Sequence, residues 1–294
     1  DVIVEIAGQT LSARGHRPAV VSRGYGRRTR GIQIVADTGS IRLDADEAGD
    51  EPFLLARRLP GVPVVVGGNR YDTARLALER FGVTAIVLDD AFQHRTLKKS
   101  LEIVTARARN PWGNGRLLPA GPLREPLAAL GRADLVVATG ATRPVDAPAV
   151  VAAVNEHAPG VPVLTAVFVP AECWEASRMR PLPLAELKGK RLAAFAGIAS
   201  PAAFAVTLEA AGVTVTEFAR FADHHWFTPS EVAGLDGRAG DLGVDGLITT
   251  EKDWVRLRKL PLPRRPLYVL SIRLVLTSGT GAWQAAFERA CPAS

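Results

Sequence analysis

Cysteine is scarce in this sequence. Only Cys173 and Cys291 occur in 294 residues, too few for a disulfide framework and without the spacing of a metal site. A reducing, cytosolic setting is the expectation. No apolar run approaches the roughly 20 residues of a membrane-spanning helix. No secretory signal pattern is visible. No segment recurs at a fixed period, which excludes a solenoid or propeller. Aromatic residues make up 6% of the chain, and the arginines are spread among separate loop motifs. That distribution argues against a basic stripe interleaved with stacking rings, so no nucleic-acid partner is expected.

What the chain does have is apolar content and positive charge. Hydrophobic residues make up 47%, enough for more than one core, and the length predicts one large or two modest domains. Thirty-six Lys and Arg against 30 Asp and Glu give a net charge of +6. The excess is mostly arginine, whose planar fork suits phosphate and carboxylate. A basic balance fits an anionic substrate or an anionic membrane surface; an arginine-favouring genome would raise the same count.

Short β-branched runs alternate with helical stretches through the first half. Strands are predicted at Pro18–Ser22, 32–36, 62–66, Ala85–Leu88, 101–105 and 134–138, and helices at 1–13, 47–59, Arg70–Phe81 and 124–130. Val2, Ile3, Ile6 and Leu11 form one stripe of the first helix. Such alternation implies a parallel α/β sheet. A Pro- and Ala-rich stretch, 141–187, reads as loops with one extended run at 161–169. A second strand–helix series follows, with strands at 192–196, 213–218, 246–249 and 267–276, and helices within 198–211 and at 230–238. The domains are expected at 1–160 and 188–294, joined by 161–187, with a ligand cleft between them.

Six segments carry chemistry. AIVLDDAFQH, residues 85–94, ends an apolar strand in Asp89 and Asp90. Carboxylates at the carboxyl end of a parallel strand suit Mg²⁺, though a turn rich in capping Asp reads equally well. VVSRGYG, residues 20–26, presents Arg23 and Tyr25 on a Gly-flanked turn, open to a phosphate. EAGDEP, residues 47–52, places Asp50 and Glu51 at a helix start, as dipole partners or as a base for a hydroxyl. GNGRLLPAGPLREP, residues 113–126, is a constrained loop ending in Arg124 and Glu125, for phosphate and metal or for a surface pair. FADHHWF, residues 221–227, holds Asp223 and His224, the latter a group that titrates near neutrality. TTEKD, residues 249–253, offers Lys252 to phosphate, or a Thr-capped helix start.

In this order, with VGGNR between, the segments resemble the lipid A 4′-kinase (tetraacyldisaccharide 4′-kinase, LpxK) family from about residue 18 to 253. The resemblance implies a P-loop-kinase-like parallel sheet with a second, smaller α/β domain. It implies a monomeric enzyme using ATP and Mg²⁺ to phosphorylate the 4′-hydroxyl of an acylated glucosamine disaccharide 1-phosphate at the cytoplasmic face of the bacterial inner membrane. By resemblance, Asp50 is the base, paired with His224, which Asp223 orients. Asp89, Asp90 and Glu125 serve the metal. Arg23, Arg70 and Arg124 hold phosphate, Gln93 and His94 support the same loop, and Lys252 is a further phosphate cation. The competing readings are another P-loop kinase or GTPase with a different acceptor, and an inactive basic membrane-binding fragment.

Two departures from the family pattern carry expectations. Ala91 stands where the family's loop has Gly, so that loop is either right-handed there or strained. No Gly-x-x-x-x-Gly-Lys-Ser/Thr motif occurs in the sequence, and the chain opens within a helical pattern. It is therefore expected to be a piece cut just after its phosphate loop, with a gap in the sheet, weak ATP binding and no activity in isolation.

Overall fold

The computed structural model describes residues 2–292. The chain divides into two compact units, Val169–Arg273 and the sequence on either side of it.

The first unit opens with helix α1 (Val2–Ala13), which buries Val4, Ala7, Gly8 and Leu11. The expected first residue of that helix, Asp1, lies outside the described residues. Strands β1 (Pro18–Ser22) and β2 (Gln33–Ala36) follow. The single helix expected over 47–59 is instead two, α2 (Ala45–Ala48) and α3 (Asp50–Arg58), broken at Gly49. Gly49 has φ 94° and ψ 147°, a region open only to glycine. A Cβ there would lie 2.9 Å from the Tyr25 carbonyl, so the break brings the turn before α3 against the Arg23–Tyr25 loop. Then come β3 (Val64–Val66), α4 (Arg70–Phe81), β4 (Ala85–Leu88), β5 (Ile103–Arg107) and β6 (Leu135–Thr139).

Two further corrections fall here. The helix expected over 124–130 is a 3-10 helix, Leu127–Arg132. Pro126 excludes the α conformation at Glu125, so Arg124 and Glu125 stay in the preceding loop. The stretch taken as loops contains α5 (Pro148–His157), whose Val150, Ala153 and Val154 are buried; Pro148 is its first residue, where proline is favoured. Strand β7 (Val163–Glu175) then carries the chain into the second unit.

One sheet of the first unit has the order β2-β3-β1-β4, with β1 parallel to β3 and β4 and β2 antiparallel to β3. Strands β5, β6 and the start of β7 form a parallel group. All five residues of β1 and all three of β3 are buried, as expected for parallel strands covered on both faces.

The second unit holds β8 (Arg180–Leu182), β9 (Arg191–Ala196), α6 (Pro201–Ala210), β10 (Thr214–Arg220), α7 (Pro229–Asp241), β11 (Gly246–Thr250), α8 (Glu251–Leu257) and the first part of β12 (Leu267–Ser278). Strands β10, β9, β11 and β12 are successive parallel neighbours. Leu192, Ala194, Phe204, Leu208, Ile248 and Leu270 centre its core. Strand β12 returns the chain to the first unit, where α9 (Thr280–Ala290) packs Trp283, Ala286 and Phe287 with Ala7 and Leu11 of α1. The compact second unit therefore starts and ends earlier than the expected 188–294, because the last helix completes the first unit's core.

Candidate active site

Parallel β-sheets gather ligand-binding groups at the carboxyl ends of their strands. In the first unit those ends are Ser22, Val66 and Leu88, and the pairing runs on past them. Asp89 N–H donates to Val21 C=O at 2.9 Å, and Gly67 N–H to Ser22 C=O at 3.0 Å. Asp89 is buried, and the Ser22 hydroxyl donates to its Oδ2 at 3.0 Å. Asp90, the next residue, is exposed and takes φ 46°. The left-handed residue of this turn is thus Asp90, a side chain that tolerates that conformation. Ala91, at the family's glycine position, is not among the positive-φ residues.

Four cations hold the 89–94 loop. Arg124 Nη1 reaches both Asp90 carboxylate oxygens at 2.8 Å and Gln93 Oε1 at 3.4 Å. Arg132 lies over the Phe92 ring, 4.5 Å from its centroid, and pairs with Glu125. Lys99 Nζ donates to the Ala91 and His94 carbonyls at 2.9 and 3.2 Å. Arg70, buried at the start of α4, donates from Nη1 to Gly67 C=O at 2.7 Å and from Nη2 to Asp89 C=O at 3.4 Å. Burial pushes the Arg70 guanidinium below its ordinary range, with nearby Arg23 adding to the effect and Asp89 and Asp90 opposing it. Arg23, Arg70, Asp89 and Asp90 therefore share one neighbourhood. Asp50 follows the glycine that packs against the loop carrying Arg23. It is buried at the first position of α3, directly after Gly49, whose backbone lies against Gly24 and Tyr25.

Not every expected residue meets the others. Glu125 is engaged by Arg132 rather than grouped with Asp89 and Asp90. His94 approaches Thr96 through Nε2 at 3.4 Å. Among the described residues, the carboxylates clustered tightly enough to share a cation are Asp44, Asp46 and Glu47; two of these form the cap of α2, with Asp44 N–H donating to Glu47 at 3.0 Å.

Asp223 and His224 belong to the second unit, in the loop after β10. His224 takes φ 58°. Its N–H donates to Asp223 Oδ1 at 3.0 Å, and its Nε2 lies 3.9 Å from Asp223 Oδ2. The neighbouring His225 is tied down, 3.1 Å from both Glu231 oxygens and stacked on Phe221. Of TTEKD, the helix-start reading holds: Thr250 caps α8 by accepting from Asp253 N–H at 3.0 Å. The residue that meets this cap is Asp253, whose Oδ2 also accepts from the Thr250 hydroxyl at 2.6 Å, and not Glu251.

Ser22, Lys99, Arg132, Asp253 and Arg256 are among the residues that motif reading passed over. Ser22 had a local signal, a hydroxyl closing an otherwise apolar strand. Arg132 and Arg256 had none beyond their charge, because their partners are set by tertiary packing.

A model of the family described as tetraacyldisaccharide-1-P 4′-kinase (LpxK) matches residues 2–291. The chain belongs to this family of kinases. The tetraacyldisaccharide 4′-kinase of Syntrophus aciditrophicus is 38% identical over 281 residues, covering 92% of this chain and 75% of that protein. That of Anaeromyxobacter dehalogenans strain 2CP-C is 44% identical over 248 residues, covering 84% and 66%. The chain thus spans about two thirds to three quarters of these relatives. Among solved structures, LpxK from Aquifex aeolicus, an "apo" form in complex with ATP, superposes with a TM-score of 0.73 at 30% identity, covering 98% of this chain and 83% of that one. The mixed α/β architecture and its parallel sheet match that of the solved kinase.

Proposed function

We propose that this protein transfers the γ-phosphoryl group of ATP to the 4′-hydroxyl of a tetraacylated glucosamine disaccharide 1-phosphate, giving lipid IVA. It works as a monomer at the cytoplasmic face of the inner membrane. One observation carries the reading: the Asp50 turn, the Ser22–Asp89 pair, Asp90 and the guanidinium groups of Arg23 and Arg70 gather at the carboxyl ends of β1, β3 and β4.

The roles follow from the chemistry. Asp50 accepts the proton of the 4′-hydroxyl as its oxygen attacks the γ-phosphorus; the bond to the β,γ-bridging oxygen breaks and ADP leaves. The Asp223–His224 pair is a second proton-handling group. Arg23, Arg70 and Arg124 hold phosphate by charge and hydrogen bonding, and Gln93 and His94 keep the 89–94 loop in place. The buried Asp89 carboxylate and the Ser22 hydroxyl are hard oxygen donors and fit Mg²⁺, with Asp90 adjacent and Glu125 on the neighbouring loop. Bound there, the ion would neutralise charge on the phosphate oxygens. None of the 294 residues forms a Gly-x-x-x-x-Gly-Lys-Ser/Thr loop, so the roles assigned here concern the acceptor and the metal.

Transfer of labelled γ-phosphate to the tetraacyldisaccharide 1-phosphate by the complete gene product tests the reading. Asp50→Ala and His224→Ala are each expected to slow transfer by roughly a hundredfold or more. Normal turnover in both would overturn the base assignment, and failure to label that acceptor would overturn the activity.

A further inference from the structure

The TTEKD segment drew notice for Lys252, yet its most constrained side chain is the neighbouring Asp253. Asp253 and Arg256 are one helical turn apart on α8 and form an ion pair of 2.8 Å with both side chains fully inaccessible. A buried charge pair offsets its desolvation only with help from further hydrogen bonds. Here two of these go to one peptide segment. Gly197 N–H donates to Asp253 Oδ1 at 2.9 Å, and Arg256 Nη2 donates to Gly197 C=O at 2.9 Å. The Thr250 hydroxyl takes Asp253 Oδ2 at 2.6 Å. The pair therefore clamps both polar groups of the residue that follows β9.

Gly197 is the floor beneath the histidine loop. A Cβ on it would lie 3.0 Å from Ala222 C=O and 3.1 Å from His225 Cβ. Phe221 N–H donates to Ala196 C=O at 2.9 Å, one residue earlier. Phe221, His225 and Phe227 pack ring against ring, with centroids 4.8 to 5.0 Å apart. His224 is thus a left-handed residue between two fixed neighbours, over a floor whose height the ion pair sets.

We infer that Asp253 and Arg256 are positioning residues for the Asp223–His224 loop, acting through Gly197. The inference rests on the proposed role of His224, and it gives the buried pair a task that an apolar pair could not perform: Asp253 accepts from the N–H, and Arg256 donates to the C=O, of the same residue.

A double-mutant comparison in the complete gene product tests it. Asp253→Asn should lower kcat roughly ten- to a hundredfold with KM for both substrates little changed, the scale of a misplaced catalytic group. In a His224→Ala background the same substitution should cost nothing further. An equal additional loss there would overturn the inference, because a general structural defect would add. Gly197→Ala is the second variant. It keeps both charges of the pair, but its Cβ would lie 3.0 to 3.2 Å from Ala222 C=O, His225 Cβ and Asp253 Oδ1, so it displaces the histidine loop from the carboxylate beneath Gly197 and should reproduce the effect if Asp253→Asn fails to fold. In both variants the His224 imidazole resonance, assigned by His224→Ala, should shift or split while resonances of the β9 and β11 core stay in place. An unmoved His224 resonance would sink the positioning role. A moved resonance with normal turnover in His224→Ala would instead sink the catalytic reading of His224.

Discussion

Beside the carboxyl end of β4 one Asp–Arg pair faces outward, next to the buried Asp89 and Arg70; at the carboxyl ends of β9 and β11 the corresponding pair is sealed. Asp90 and Arg124, in the first unit, have side chains 64% and 54% exposed. Asp253 and Arg256, in the second, have none of their side-chain surface accessible. Both pairs are Asp–Arg at 2.8 Å, so geometry alone does not distinguish them. Their surroundings do. Water screens the first pair, leaving both groups able to exchange partners with a charged ligand. The second pair has no such alternative and can only hold its neighbours. Substitutions should separate the two by what they change: rate with little change of stability in the exposed pair, stability together with rate in the sealed one.

The largest expected effect is on rate. Asp50→Ala should reduce phosphate transfer by roughly 10²- to 10⁴-fold, with the thermal unfolding midpoint nearly retained because α3 keeps Phe53, Leu54 and Leu55 in the core. A rate loss accompanied by a large fall in the midpoint would show that the buried Asp50 carboxylate holds the fold, as Asp253 does, rather than the reaction.

Next is Asp253→Ala, which strands Arg256 in the interior and should cost about 3–5 kcal/mol in urea unfolding. Asp253→Leu with Arg256→Met should recover much of that stability yet not return the His224 resonance to its wild-type position, since no group then holds Gly197. Recovery of both would show that packing alone sets the loop.

How much of this was open to sequence reading depended on whether the cause was local. The periodicity of α4 and the apolar runs of β1 and β4 are local, and their boundaries match the structure residue for residue. The break at Gly49 is not: α3 reads as a continuation of α2 until the Tyr25 carbonyl is known to occupy the space beside Gly49. The Glu125–Pro126 dipeptide was a legible helix stop that the expectation of a helix over 124–130 ignored. Helix α9 escaped notice because its partners, Ala7 and Leu11, lie at the opposite end of the chain. At the site, carboxylates and cations were readable as motifs, whereas the cations that hold the 89–94 loop from afar, Lys99 and Arg132, became recognisable only through their contacts.

Gly49→Ala probes the joint between α2 and α3. A Cβ at φ 94° and 2.9 Å from the Tyr25 carbonyl should cost about 1–3 kcal/mol. It should also slow transfer, because relief of the clash moves either Asp50 or the Arg23 loop. Loss of stability with unchanged turnover would show that the Asp50 turn tolerates displacement.

The smallest effect is the sharpest contrast with Asp253. Arg124→Ala removes the hydrogen bonds to Asp90 and Gln93, but an exposed pair contributes no more than about 1 kcal/mol. The unfolding free energy should therefore change within that limit and become less sensitive to added salt, since screening acts on the pair that has been removed. Turnover should nevertheless fall, with the loss concentrated in kcat/KM if Arg124 binds substrate phosphate. A destabilisation as large as that of Asp253→Ala would mean that the 89–94 loop depends on Arg124 for its fold, and the distinction between outward and sealed charge would no longer hold.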